Sequence, residues 1–144
     1  MADNAQPGPR ARRAVVTLPD EIDLANADQV GRELDAALAS GVATVVADMT
    51  ATRFCDTSGV RMLVLAHRRA AASGTELRVV IPSASILRVL ALTKVDIVLR
   101  IYPSLEDALA PPGRYRRALR MRWRRPSRLE KVFRLVGVSV QRLG

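Results

Sequence analysis

Residues 44–60 read Thr44-Val45-Val46-Ala47-Asp48-Met49-Thr50-Ala51-Thr52-Arg53-Phe54-Cys55-Asp56-Thr57-Ser58-Gly59-Val60, and the fold class turns on them. Thr44 to Met49 is mostly apolar and β-branched, the pattern of a strand covered on both faces. A polar loop then carries the chain to Asp56. From Thr57 the positions Val60, Leu63, Val64, His67 and Ala71 trace one face of a helix, which Gly74 ends. A buried strand feeding a helix through a short loop is the unit from which parallel sheets are built.

The same alternation extends in both directions. Upstream, Val15-Val16-Thr17-Leu18 is a β-rich run stopped by Pro19. Asn26, with Gln29 three residues on, has the spacing of a capping box, and Val30, Leu34, Ala37 and Leu38 then mark a helical face closed by Gly41. Downstream, Leu77 to Ile81 reads as a third strand broken by Pro82, and Ser85 to Leu92 as a short helix. Ile97 to Tyr102 reads as a fourth strand. Ser104 and Asp107 have cap spacing ahead of a helix around Leu105, Ala108 and Leu109. Strand and helix thus alternate from residue 14 to 110, which predicts an α/β domain: a small, mostly parallel β-sheet with helices packed on it through right-handed crossovers.

Composition narrows the function. The chain has 144 residues, 49% of them hydrophobic but only 3% aromatic, so one core of Val, Leu, Ile and Ala is expected. A single cysteine, Cys55, excludes an internal disulfide, and a single histidine, His67, excludes a His-rich metal site. No apolar run approaches the roughly 18 to 20 residues that span a bilayer, and no hydrophobic stretch follows a basic start, so no signal peptide is expected. These features predict a soluble, cytoplasmic protein.

The net charge of +9 is unevenly placed. Residues 1–112 hold 12 Lys and Arg against 13 Asp and Glu, whereas residues 113–144 hold 11 against Glu130 alone. The division is therefore a disordered lead-in at 1–13, a near-neutral domain at 14–110, and a basic Arg-rich extension at 111–144. That extension interleaves Arg114 to Arg125 with Tyr115, Leu119, Met121 and Trp123. After Pro126 it places Leu129, Val132, Phe133 and Val136 at helical spacing. Three readings fit it: a helix lying on an anionic membrane, a contact with nucleic-acid phosphates, or a solvated end with no partner.

Chemistry, if any, sits after the strand that ends at Asp48. Asp56 and the hydroxyls of Thr57 and Ser58 stand where a helix begins, and a helix N-terminus, with unpaired N–H groups and a positive dipole end, suits either a side-chain cap or a phosphate. From spacing alone the cap is the common outcome. Gly59 leaves room for close approach. Cys55, beside an acid and no fixed cation, reads as a packed, inert thiol. His67 reads as a packing residue. No nucleophile–base arrangement, Gly-rich phosphate loop or metal cluster is visible, so neither an enzyme nor a cofactor is expected.

Asp56-Thr57-Ser58-Gly59, preceded by Asp48 and Phe54, resembles the signature of STAS domains, the sulfate-transporter and anti-sigma-factor-antagonist family. Leu18-Pro19-Asp20-Glu21-Ile22-Asp23-Leu24 resembles that family's first strand and Glu-hydrophobic-Asp turn, and Leu92-Thr93-Lys94-Val95-Asp96 the end of its third helix. The likeness runs over residues 14 to 110 and is nearest to the stand-alone bacterial anti-anti-sigma factors. It implies a switch. The unphosphorylated protein would bind an anti-sigma factor that is itself a serine/threonine kinase, freeing the sigma factor. Phosphorylation of Thr57, with Ser58 as the minor alternative, would end that binding, and a phosphatase would reset it. The partner surface implied comprises Asp23, Asn26, Phe54, Asp56, Thr57, Ser58 and Gly59, with no direct DNA binding and with anionic membrane contact through residues 113–144 as an option. The alternative is a STAS-type accessory subunit of a membrane lipid-transport ATPase, in which Thr57 contacts the ATPase without being phosphorylated. The sequence departs from the family at Asp20 and Lys94, where glycine is usual, and has threonine where serine is the commoner acceptor.

Overall fold

The computed structural model describes residues 12–110. In chain order the elements are β1 (Arg13–Thr17), β2 (Glu21–Ile22), α1 (Ala27–Leu38), β3 (Thr44–Asp48), β4 (Phe54–Cys55), α2 (Thr57–Ala72), β5 (Glu76–Val80), α3 (Ala84–Leu92), a 3-10 turn (Val95–Ile97), β6 (Arg100–Tyr102) and α4 (Leu105–Leu109). The strands β1-β3-β5-β6 pair in that order, all parallel, and β2 and β4 form a second, two-stranded parallel sheet. The predicted α/β architecture is the one observed.

Side chains alternate strictly across the main sheet. Val45 and Ala47 of β3, with Leu77 and Val79 of β5, meet Leu34 of α1, Leu63 of α2 and Leu90 of α3 in one large core. Val46 and Val80 point the other way and, with Tyr102, lie under Ala108 of α4. Both faces are covered at the centre, which is why β3 reads as a continuous apolar run. At the edge, Val15 pairs in register with Val46 but remains 43% exposed.

Four details differ from the sequence reading. Arg13, placed in the lead-in, opens β1, and its guanidinium donates to the Leu109 carbonyl. The fourth strand begins at Arg100 rather than Ile97, because Val95 to Ile97 coil into the 3-10 turn; Val98 and Leu99 are buried either way, so apolarity alone does not separate the two conformations. The loop before Asp56 contains β4, whose Phe54 and Cys55 pair with Glu21 and Ile22. Asn26 holds the N-cap position of α1 without capping it: its Oδ1 accepts from the Asp23 N–H at 2.9 Å and its Nδ2 donates to the Glu21 carbonyl at 2.7 Å, so the side chain ties down the preceding turn instead. Residues 111–144, and with them the predicted membrane or nucleic-acid contacts, lie outside the described residues, as does most of the lead-in.

Lys94 has φ 59°, the one left-handed non-glycine backbone among the described residues. It follows the C-cap of α3, where glycine is the unstrained choice. Asp20 shows no such conformation, so its replacement of glycine is free of backbone cost; its carbonyl instead accepts from the N–H groups of Arg53 and Phe54.

Candidate functional site

The loop between β3 and α2 is fixed at both ends by short polar contacts. Asp48 Oδ1 accepts from the Thr50 N–H at 3.0 Å. The buried Thr52 hydroxyl donates to the Pro19 carbonyl at 2.8 Å. The Arg53 N–H reaches the Asp20 carbonyl at 2.7 Å, and the Asp56 N–H reaches that of Ile22 at 3.1 Å. The turn around Asp23 and the start of α2 are thereby locked side by side.

Asp56 caps α2. Its Oδ1 accepts from the Ser58 N–H at 2.8 Å and the Gly59 N–H at 3.2 Å. This is the outcome that spacing favoured, and it engages one carboxylate oxygen of the acid while leaving the Thr57 side chain exposed. Thr57 is exposed and Ser58 half-buried, both in the first turn of the helix. A phosphate on Thr57 would stand at the positive end of the helix dipole, so the domain can accept it without unfolding.

Gly59 faces inward. A Cβ there would lie 2.5 Å from Cys55 Sγ and 2.8 Å from Ile22 Cγ2. The residue is glycine because the first turn of α2 rests directly on β2 and β4, and the room it leaves is occupied from within. Cys55 is a buried free thiol whose pKa is pushed up to about 11, by burial first and by the Asp56 carboxylate second. A thiol so raised is a poor nucleophile at neutral pH. His67, on the inner face of α2, is buried, and its pKa is brought down to about 4 by burial and by the charge of Arg100.

The structure thus brings Asp23, Asn26, Phe54, Asp56, Thr57 and Ser58 together on one end of the molecule, where the main strands end and α2 begins. Phe54, 52% exposed, stands three positions before Thr57. Leu24, 81% exposed, borders the same groove as Ser58. Arg32 and Arg61 line that groove as well; the sequence reading singled out neither, although the four-residue step from Thr57 to Arg61 on a helix was an available signal. Among the described residues no group of His, Cys, Asp and Glu is arranged to hold a metal, and no helix is long and apolar enough to cross a membrane.

Residues 5–108 match the family profile of the STAS domain. Among solved structures, an anti-sigma factor antagonist from Mycobacterium paratuberculosis is 28% identical over 67% of this chain and 82% of its own, with a TM-score of 0.62. The anti-sigma factor antagonist SpoIIAA in its unphosphorylated form is 20% identical over 69% of this chain and 86% of its own, with a TM-score of 0.58. The Bacillus cell fate determinant SpoIIAA in its phosphorylated form is 21% identical over 67% and 87%, with a TM-score of 0.52. The two SpoIIAA likenesses concern the fold alone. No curated protein shows significant similarity to the chain.

Proposed function

The chain belongs to the STAS domain family, and from that premise we propose that it is an anti-sigma factor antagonist controlled by phosphorylation of Thr57. In its unphosphorylated form it binds an anti-sigma factor that is a serine/threonine kinase, and so releases the sigma factor. Phosphate on Thr57 ends the binding, and a phosphatase restores it. The protein acts by occupying a partner, in the cytoplasm, without chemistry or a cofactor of its own.

The observation that carries this reading is the accessibility of Thr57 at a helix start whose own cap is already supplied by Asp56. The Thr57 hydroxyl is not needed to hold the helix, so it is free to be modified. The mechanism is electrostatic. A phosphate adds roughly −1.5 to −2 charge and three acceptor oxygens, beside Asp56 and close to the Asp23 turn. A partner surface matched to a neutral hydroxyl then meets a dianion. The fold is unchanged and the interface is lost.

The test is incubation of the full chain with the cognate kinase. Label is expected on the wild-type protein and absent from Thr57→Ala; label that persists at Ser58 would reassign the acceptor, and label on neither would remove the switch.

A further inference from the structure

α1 and α2 lie against one another, and Gly31 permits the approach: a Cβ there would sit 3.3 Å from Met62 Cγ. The two helices border an open groove of about 440 Å³. Leu24, Met62 and Leu65 give it an apolar lining, and Ser58, one residue from Thr57, stands in its wall. Its charges are unequal. Asp35 and Arg69 neutralise each other across the helices at 2.5 Å. Arg32 from α1 and Arg61 from α2 form no ion pair with any described residue, against one remaining acid, Asp28.

We propose that this groove receives an amphipathic segment of the anti-sigma factor whose carboxylates flank its apolar residues, and that phosphate on Thr57 competes with those carboxylates for Arg61. The competition rests on Thr57 being the phosphoacceptor; the groove does not. A guanidinium presents paired N–H donors that match a carboxylate or a phosphate equally well. A groove that combines an apolar lining with two such cations therefore suits a segment with acids beside a Leu or Ile stripe. The chain's own residues 113–144 are a poor occupant, because 11 Lys and Arg against one acid would face Arg32 and Arg61 with like charge.

Thr57 and Arg61 are four residues apart on α2, so their side chains lie one above the other on the helix surface. A phosphate on Thr57 is within the span that such pairs bridge. Once paired with it, Arg61 is withdrawn from the partner, and the added charge repels the partner's acids. The signal would thus be read twice, through one lost attraction and one new repulsion.

The experiment pans the full chain against a random helical-peptide display library and measures the enriched peptides by calorimetry. The proteins compared are wild type, Arg32→Gln/Arg61→Gln, and the chain carrying genetically encoded phosphothreonine at 57, alone and with Arg61→Gln. Enriched peptides should carry Asp or Glu beside Leu or Ile and shift the amides of α1 and α2. Their affinity should fall at least about tenfold in the double variant, the scale of one lost charge-assisted contact. Phosphothreonine should weaken them in wild type more than in Arg61→Gln. Neutral or basic enriched sequences, unchanged affinity in the double variant, or the same amide shifts produced by inorganic phosphate alone would overturn the groove as an acidic-segment site. Acidic peptides that bind the groove equally with and without the phosphate would overturn the competition for Arg61 and leave the groove standing. Failure of the kinase to label Thr57 would remove the switch reading by itself.

Discussion

The two ends of the sheet hold charge in opposite ways. Where the strands begin, the ions are consumed. Arg78 is 3% exposed, and its Nε donates to Glu76 at 2.8 Å. Its Nη1 donates to the carbonyls of Ala108 at 2.6 Å and Ala110 at 3.2 Å, and the guanidinium lies 5.6 Å from the Tyr102 ring centre. Arg100 closes on the same Glu76 at 2.6 Å. Arg13 donates to Leu109. These groups fasten the C-terminal end of α4, whose free carbonyls need donors. Where the strands end, Thr57 is exposed, Phe54 and Leu24 project, and Arg61 has no ionic partner among the described residues. Charge that is buried and paired at one end secures the fold; at the other end, groups left unspent are available to a second molecule.

If that division is right, substitutions at the two ends should separate stability from binding. The largest effect is expected from Arg78→Met. It would leave Glu76 with one partner and deprive the Ala108 and Ala110 carbonyls of a donor, and loss of one side of a buried pair costs about 3 kcal/mol or more. Urea unfolding should show this as a lower midpoint, while affinity for the anti-sigma factor, measured where the variant is folded, stays at the wild-type level. A large affinity loss would break the comparison.

Next comes acid. His67 takes a proton near pH 6.5 when unfolded but waits until about pH 4 when folded. The unfolded chain therefore binds more protons in that window, and stability should decline as pH falls through it, by up to about 3 kcal/mol. His67→Gln should flatten the decline between those limits. Glu76 contributes at lower pH. Burial pushes its carboxyl up, but hydrogen bonds from Arg78 and Arg100 and their charges pull it further down. Its contribution is present above the unfolded value of 4.5 and disappears as pH falls through the lower folded one.

Smaller again, Asp56→Ala removes the cap of α2 and should cost about 1 kcal/mol, seen as a shifted thermal midpoint. The least expected effect on stability is that of Thr57→Glu, within about 0.5 kcal/mol, because the side chain is exposed and a negative group suits a helix start. Its binding of the anti-sigma factor should weaken all the same. Equal binding in calorimetry would argue against electrostatic control.

The order of strands and helices was legible because β3 and β5 are buried on both faces and α1 and α2 on one, so each has a clear apolar period. The tiny β2 and β4 were not, since two residues have no period and their pairing is set by the loop contacts of Thr52, Arg53 and Asp56. Asn26 misled because an amide that can cap a helix can also serve the turn behind it. The hydroxyl pair at the start of α2 was visible in Asp56-Thr57-Ser58-Gly59, but the direction in which Gly59 faces depended on Ile22, distant in sequence. Arg78 announced itself weakly, as a charge set between the apolar Leu77 and Val79 of β5; the carbonyls it serves at Ala108 and Ala110, in and just beyond α4, lie 30 and 32 residues away and leave no local trace.

The seating of α2 on Cys55 makes that thiol a gauge of local opening. Its sulfur is shielded by the first turn of the helix, contacts the carbonyl of Asp56 at 3.7 Å, and is held protonated well above neutral pH. A maleimide or disulfide reagent can therefore react only in the moments when the segment from Asp56 to Gly59 lifts away from Ile22. As the chain's one cysteine, its modification rate counts those moments without interference from any other site. The rate compared between free, phosphorylated and partner-bound protein would time the breathing of residues Asp56 to Gly59.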